Sequence, residues 1–143
     1  MPMKSYPHLQ TPPENETEWL SALVALARYL RTPEGCPWDR EQKTADFAGF
    51  LRGEVDELIE AAASNDDAHV REEFGDCLFT LLATAAAAEE EGRFTLEDAL
   101  SEIHAKMIRR HEHVFGDAKA ETAEDAVRVW EEAKRKEKES VDS

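Results

Sequence analysis

Glu54 and Glu57 stand three residues apart, and so do Glu73 and Asp76. On a helix that spacing places both carboxylates of a pair on one face. If the two stretches are antiparallel neighbours, the pairs form a four-oxygen cup. Carboxylates gathered near a helix interface repel one another and lose hydration unless cations neutralise them. Oxygen-only ligands select hard cations, with Mg²⁺ or Mn²⁺ ahead of Ca²⁺. The competing reading is a solvated acidic face, because Glu at this spacing is common on surface helices.

Each pair lies in a segment with helical periodicity. Leu51, Val55, Leu58, Ile59 and Ala62 form one apolar stripe, and Val70, Phe74, Leu78, Leu81, Leu82 and Ala85 form the next. Both acidic pairs flank these stripes. Between them Ser64, Asn65, Asp66 and Asp67 have the composition of a tight turn and helix N-cap, which predicts an antiparallel hairpin.

The motifs resemble those of the MazG-like nucleotide pyrophosphohydrolases, within the wider all-α nucleotide pyrophosphatase superfamily. The two acidic pairs are similar to that family's metal-binding signature. GCPWDREQ at 35–42 looks like its segment before the first metal helix, and EEGRF at 90–94 like its next inter-helix turn. KMIRRHEHVFGD at 106–117 resembles its basic segment and VWEEAKRKEK at 129–138 its terminal helix, so the likeness covers about residues 35–138. One departure is Gly53, where many family members carry a Glu immediately before the first ligand.

The resemblance implies Mg²⁺-dependent hydrolysis of a nucleoside triphosphate, ribo or deoxyribo, to the monophosphate and pyrophosphate, in a nucleotide clean-up role. Glu54, Glu57, Glu73 and Asp76 would be the metal and catalytic residues, with Mn²⁺ as an alternative ion. It also implies phosphate contact at Lys106 and Arg110, with Arg109 beside them, and a nucleotide nearby for Trp130 and Lys134. Helix-end cations complementing the dipole are the plainer reading of the basic cluster, and Trp130 could equally be core. A side-by-side homodimer or higher homo-oligomer is a further expectation.

Trp38 has two readings: an aromatic plug beneath a helix start, or a plate for a base, since every base offers a π face. The residues alone favour the plug; the resemblance implies nucleoside contacts on this segment, with Gln42 on the base edge or ribose, and the adjoining carboxylates then tip the reading towards a nucleotide contact; otherwise Gln42 is a solvent-facing cap. His111 and His113 lack a zinc spacing, and alternate positions on a helix point apart, so they are expected to cap or pack a helix end.

With 143 residues and 41% hydrophobic content the chain is read as one domain. Six glycines among many Ala, Leu and Glu predict an all-α antiparallel bundle of four to five helices. Residues 1–10 are expected as an extended arm and 135–143 as a frayed tail. Helices are predicted from a capping box at Thr11, Pro12 and Glu14 to about Arg31, from Asp39 or Thr44 to Ala62, and from Ala68 to Glu91. A fourth starts around Phe94, Thr95 and Asp98, and a last at Thr122 and Asp125. A net charge of −15 argues against a nucleic-acid polymer as partner. Two cysteines make no disulfide framework, and the first residues have no signal-like apolar run, which points to the cytoplasm. No apolar stretch nears the roughly 20 residues of a membrane span. Two other classes stay open: a non-enzymatic helical interaction module and a divalent-cation binder without turnover.

Overall fold

A computed structural model describes residues 11–142, so the expected arm at 1–10 lies outside the described residues. Among them there are seven helices and no strand: α1 (Glu16–Tyr29), α2 (Pro37–Glu41), α3 (Thr44–Ala62), α4 (Asp67–Glu90), α5 (Leu96–Arg110), α6 (Glu112–Phe115) and α7 (Ala123–Asp142). The all-α class is as the composition implies. No described helix is long and apolar enough to cross a membrane.

The chain divides into two compact units, 1–96 and 97–143. In the first, α3 and α4 pack as the expected hairpin, and α1 packs on α4. The turn is built from its own side chains: Ser64 Oγ donates to the Ala61 carbonyl at 2.6 Å, and Asp66 caps α4 by accepting from the His69 N–H at 3.3 Å. At the far end α4 closes on Gly92, whose φ of +71° only glycine adopts freely. Arg93 N–H donates to the Ala88 carbonyl and Gly92 N–H to that of Glu89, the paired bonds of a Schellman ending.

The core is made mostly of small side chains. Ala83, Ala85, Ala86, Ala87 and Ala88 are all buried, because α4 lies between α1 and α3 and its alanines let both approach closely. Ala27, Leu82 and Ala86 pack with Leu23, Val24, Leu78, Phe79 and Leu96. Phe47 packs on Ala83 and Ala87, and burying such a side chain contributes roughly 1.5–3 kcal/mol.

Three expectations change. The first helix starts at Glu16 rather than near Thr11, because Asn15 accepts from Glu18 N–H at 2.9 Å while the Glu18 carboxylate receives the Glu14 N–H at 2.8 Å. Asp39 and Gln42 do not cap a long helix. Two separate helices stand there, with Gln42 extended at φ −79°, ψ 141° and its carbonyl taken by Arg31 Nη2 at 2.9 Å. The α3–α4 seam departs in part from the predicted stripes: Leu82 and Ala85 are buried as expected and so are Phe47 and Ala61, whereas Val55, Ile59, Phe74 and Leu81 are exposed.

In the second unit α6 packs on α7. The predicted start of α7 holds, with Asp125 N–H donating to Thr122 Oγ1 and Glu121 N–H to Asp125 Oδ2, both at 3.1 Å. Residues 135–142 are helical rather than frayed. Arg135 pairs with Glu132 one turn back and Glu139 one turn on, which supports helix where the charge mixture suggested a loose end.

Candidate active site

The seam takes in Glu54 and Glu73 and leaves Glu57 and Asp76 at its exposed edge. One carboxylate oxygen from each of Glu54, Glu57, Glu73 and Asp76 lies within 4.8 Å of the others, a cluster that could hold a metal ion. Glu73 is buried, Glu54 is half-buried, and Glu57 and Asp76 are exposed. The cup is therefore closed below and open above.

Its electrostatics are those of crowded anions. Burial pushes the Glu54 carboxyl up, and the Asp76 and Glu57 charges add to it. Glu73 also rises through burial, through a hydrogen bond shared with Glu57, and through the Glu57 and Asp76 charges, while His69 opposes. His69 Nε2 is 3.4 Å from Glu73 Oε1. Burial raises the Cys77 thiol on the floor beneath, and the four carboxylates raise it further.

Glu54 Oε2 and Glu73 Oε2 are buried without a hydrogen-bond partner. An unpartnered buried carboxylate oxygen is costly. Two of them in an all-oxygen cluster fit a hard divalent cation, which would satisfy both and relieve the repulsion. A Cβ at Gly53 would meet nothing within 4 Å, so glycine is not sterically required there.

Beside the cup is a cavity of about 270 Å³. Trp38, Phe47, Phe50 and Phe79 wall it, and Asp39, Thr80 and Glu54 also line it. Trp38 is 54% exposed, so it is no buried plug. It stacks on Phe50, and Phe47 meets both rings edge-on at 6.1 and 6.2 Å.

The short α2 that carries Trp38 is held from behind by Arg31. Its Nη1 donates to the Asp39 carbonyl at 2.6 Å and to Asp39 Oδ1 at 3.1 Å, and its Nε pairs with Glu90 on α4. Asp39 is pushed up by burial, with the Arg31 charge and hydrogen bond opposing. Gly35 makes the approach possible, since a Cβ there would lie 2.4 Å from the Leu30 carbonyl oxygen. Gln42 caps the end of α2: its Nε2 donates to the Trp38 carbonyl at 3.0 Å.

The remaining predicted residues belong to the second unit. Lys106 is half-buried and Lys134 exposed. Arg109 Nε lies 2.5 Å and Arg110 Nη2 2.9 Å from the Glu137 carboxylate, and Arg110 sits over the half-buried Trp130 ring at 4.9 Å. The two guanidinium groups hold Glu137 down to about 2. A phosphate reaching either arginine must share it with Glu137.

His111 and His113 do not point apart. The helix breaks at His111, bringing the rings to 5.6 Å, while His111 Nδ1 lies 2.6 Å from the Met107 carbonyl and its ring meets Trp130 edge-on. They pack the helix end, as expected, by a different geometry.

Sequence reasoning missed Phe47, Phe50, Phe79, Asp39, Thr80 and Arg31. Phe47 and Phe50 share one face of α3 behind Trp38, and that i, i+3 aromatic pair was a readable signal. Arg31 had none, because its role depends on a chain reversal at Gly35.

Comparison with known proteins adds a second line of evidence. The family model described as the MazG nucleotide pyrophosphohydrolase domain matches residues 42–115. That range contains Gln42, the four carboxylates, Lys106, Arg109 and Arg110, but not Trp38, Trp130 or Lys134. The chain is 40% identical over 120 residues to a nucleoside triphosphate pyrophosphohydrolase of Escherichia coli (strain K12), covering 83% of this chain and 46% of that protein. It is 41% identical over 116 residues to the nucleoside triphosphate pyrophosphohydrolase/pyrophosphatase MazG of Thermotoga maritima, covering 81% and 44%. An uncharacterized protein of Bacillus subtilis (strain 168), YabN, is 39% identical over 136 residues, covering 92% and 28%. The chain thus spans less than half the length of each of these relatives. The crystal structure of a mazG-related protein from Thermotoga maritima superposes with a TM-score of 0.68 at 31% identity, covering 80% of this chain and 98% of that one.

Proposed function

Since the chain belongs to the MazG nucleotide pyrophosphohydrolase family, we propose that it hydrolyses nucleoside triphosphates, ribo or deoxyribo, to the monophosphate and pyrophosphate with Mg²⁺. One observation carries the reading: Glu54 belongs both to the carboxylate cluster and to the lining of the aromatic cavity. A nucleotide has the same two ends, a flat apolar base and an anionic phosphate chain.

Glu54, Glu57, Glu73 and Asp76 would hold the cation, and Mn²⁺ suits the same oxygen set. Bound there, Mg²⁺ supplies positive charge against the triphosphate and acidifies water. The chain's own part is positioning and proton transfer. Trp38 and Phe50 hold the base, which fixes the phosphates relative to the cup. A cup carboxylate takes a proton from water as its oxygen attacks phosphorus, the bridging P–O bond breaks, and pyrophosphate leaves. Lys106, Arg109 and Arg110 are assigned phosphate contact, and Trp130, Lys134 and Gln42 nucleotide contact, on the family resemblance of the segments that carry them.

The remaining reading is a cytoplasmic enzyme of nucleotide clean-up, a single MazG-like domain by sequence, working as a homodimer or higher homo-oligomer. The exposed Val55, Ile59, Phe74 and Leu81 support self-association. A screen of nucleoside triphosphates with Mg²⁺, read as pyrophosphate release, tests the activity, and calorimetry with Mg²⁺ alone tests the cup. Metal affinity without pyrophosphate would leave a cation-binding module, and neither would leave a helical interaction module.

A further inference from the structure

The aromatic cavity has a polarity that bears on which bases it accepts. At about 270 Å³ it falls below the roughly 300–1,000 Å³ of drug-sized ligand sites, so it takes one flat ring system. Four lining side chains carry polar atoms: Trp38, Asp39, Glu54 and Thr80. Glu54 belongs to the carboxylate cup, and two of the others present acceptors. Thr80 Oγ1 donates its hydrogen to the Asp76 carbonyl at 2.8 Å, which leaves only lone pairs for a guest. The Asp39 carboxylate, paired with Arg31, offers acceptor lone pairs alone. Arg31, which could have supplied donors, gives them to Asp39, Gln42 and Glu90 and is not among the residues lining the cavity. The Trp38 indole N–H is the single side-chain donor on the wall.

From this acceptor-rich lining we propose that the cavity selects bases with an amine at the ring position where their counterparts carry a keto oxygen, cytosine over uracil and adenine over hypoxanthine. The inference rests on the reading of the site as a nucleotide site. Stacking against Trp38 and Phe50 cannot make this distinction, because every base has a π face. The edge can. An amine offers two N–H groups to Asp39 and Thr80, whereas the keto analogue sets its oxygen lone pairs against theirs.

The test compares matched pairs: kcat/KM for CTP against UTP and for ATP against ITP, with Mg²⁺. Calorimetric binding of cytidine against uridine and of adenosine against inosine requires no turnover. The amino member should be favoured by about tenfold or more, as expected when a hydrogen bond to a charged group is replaced by a lone-pair clash. Asp39→Asn should shrink the ratio, since its amide adds a donor to the wall. Thr80→Val should shrink it by removing an acceptor without touching the Arg31 network, and so decides the matter should the Asn variant fail to fold. Equal efficiency within each pair, or keto preference, with pyrophosphate still released, overturns this inference alone. Preferential cytidine binding without pyrophosphate from any triphosphate upholds it and overturns the proposed hydrolysis. Neither binding nor release sinks both.

Discussion

The Trp38 indole lies stacked on the Phe50 ring, centroids 5.7 Å apart and planes at 22°, and both rings are about half exposed. An exposed aromatic pair contributes less to stability than a buried one and leaves a face open for a base. Trp38→Ala should therefore change KM more than the thermal midpoint. Lost stacking of about 1–3 kcal/mol corresponds to roughly 5- to 150-fold in KM. A sharply lowered midpoint with unchanged KM in the folded variant would return Trp38 to a structural role.

Arg31 should matter more to stability than any other surface-derived charge in the first unit. Its side chain is 6% exposed and faces the 8% exposed Asp39 carboxylate. Removing one partner of a buried pair costs about 3–5 kcal/mol. Arg31→Met should lower the urea midpoint by a corresponding amount, and Arg31→Met with Asp39→Leu should recover part of it. Additive losses in the double variant would show that the pair is not coupled.

At the cup, Glu73→Gln removes one of the crowded charges while keeping the shape. The metal-free variant should melt higher than the parent, because burial and neighbouring charges disfavour the ionised Glu73. Mg²⁺ should raise the parent's midpoint and leave the variant's nearly unchanged. Scanning calorimetry with and without Mg²⁺ gives both answers, and equal metal response in the two proteins would remove Glu73 from the ligand set.

The second unit should be acid-sensitive through Glu137. Its carboxyl is held at about 2 against an ordinary 4.5, first by Arg110 and then by Arg109. A depressed carboxyl stabilises the fold fully above its unfolded value and loses that contribution as pH falls towards the folded one. The sign is opposite for Glu54 and Glu73, whose raised values make mild acid stabilising for the metal-free cup. Thermal midpoints of the parent and Glu137→Gln should converge between about pH 5 and pH 2.5. A gap that does not vary with pH would mean the pair does not hold the unit together.

By itself the sequence determined the all-α class, the α3–α4 hairpin and the candidate metal ligands, since all three follow from local rules. Three-residue spacing puts Glu54 with Glu57 and Glu73 with Asp76, Ser64 to Asp67 forms a turn through its own side chains, and Gly92 ends α4 through its φ. What only the tertiary structure decided was which face of each helix turned inward. Val55, Ile59, Phe74 and Leu81 are as apolar as the residues that became core, but the alanines of α4 allow closer packing, so the seam formed on Phe47 and Ala61 and drew Glu54 and Glu73 into it. Beyond the Phe47–Phe50 pair the cavity was equally unreadable, because its walls come from α2, α3 and α4. Their registration depends on Arg31 reaching across a chain reversal, which no local periodicity encodes.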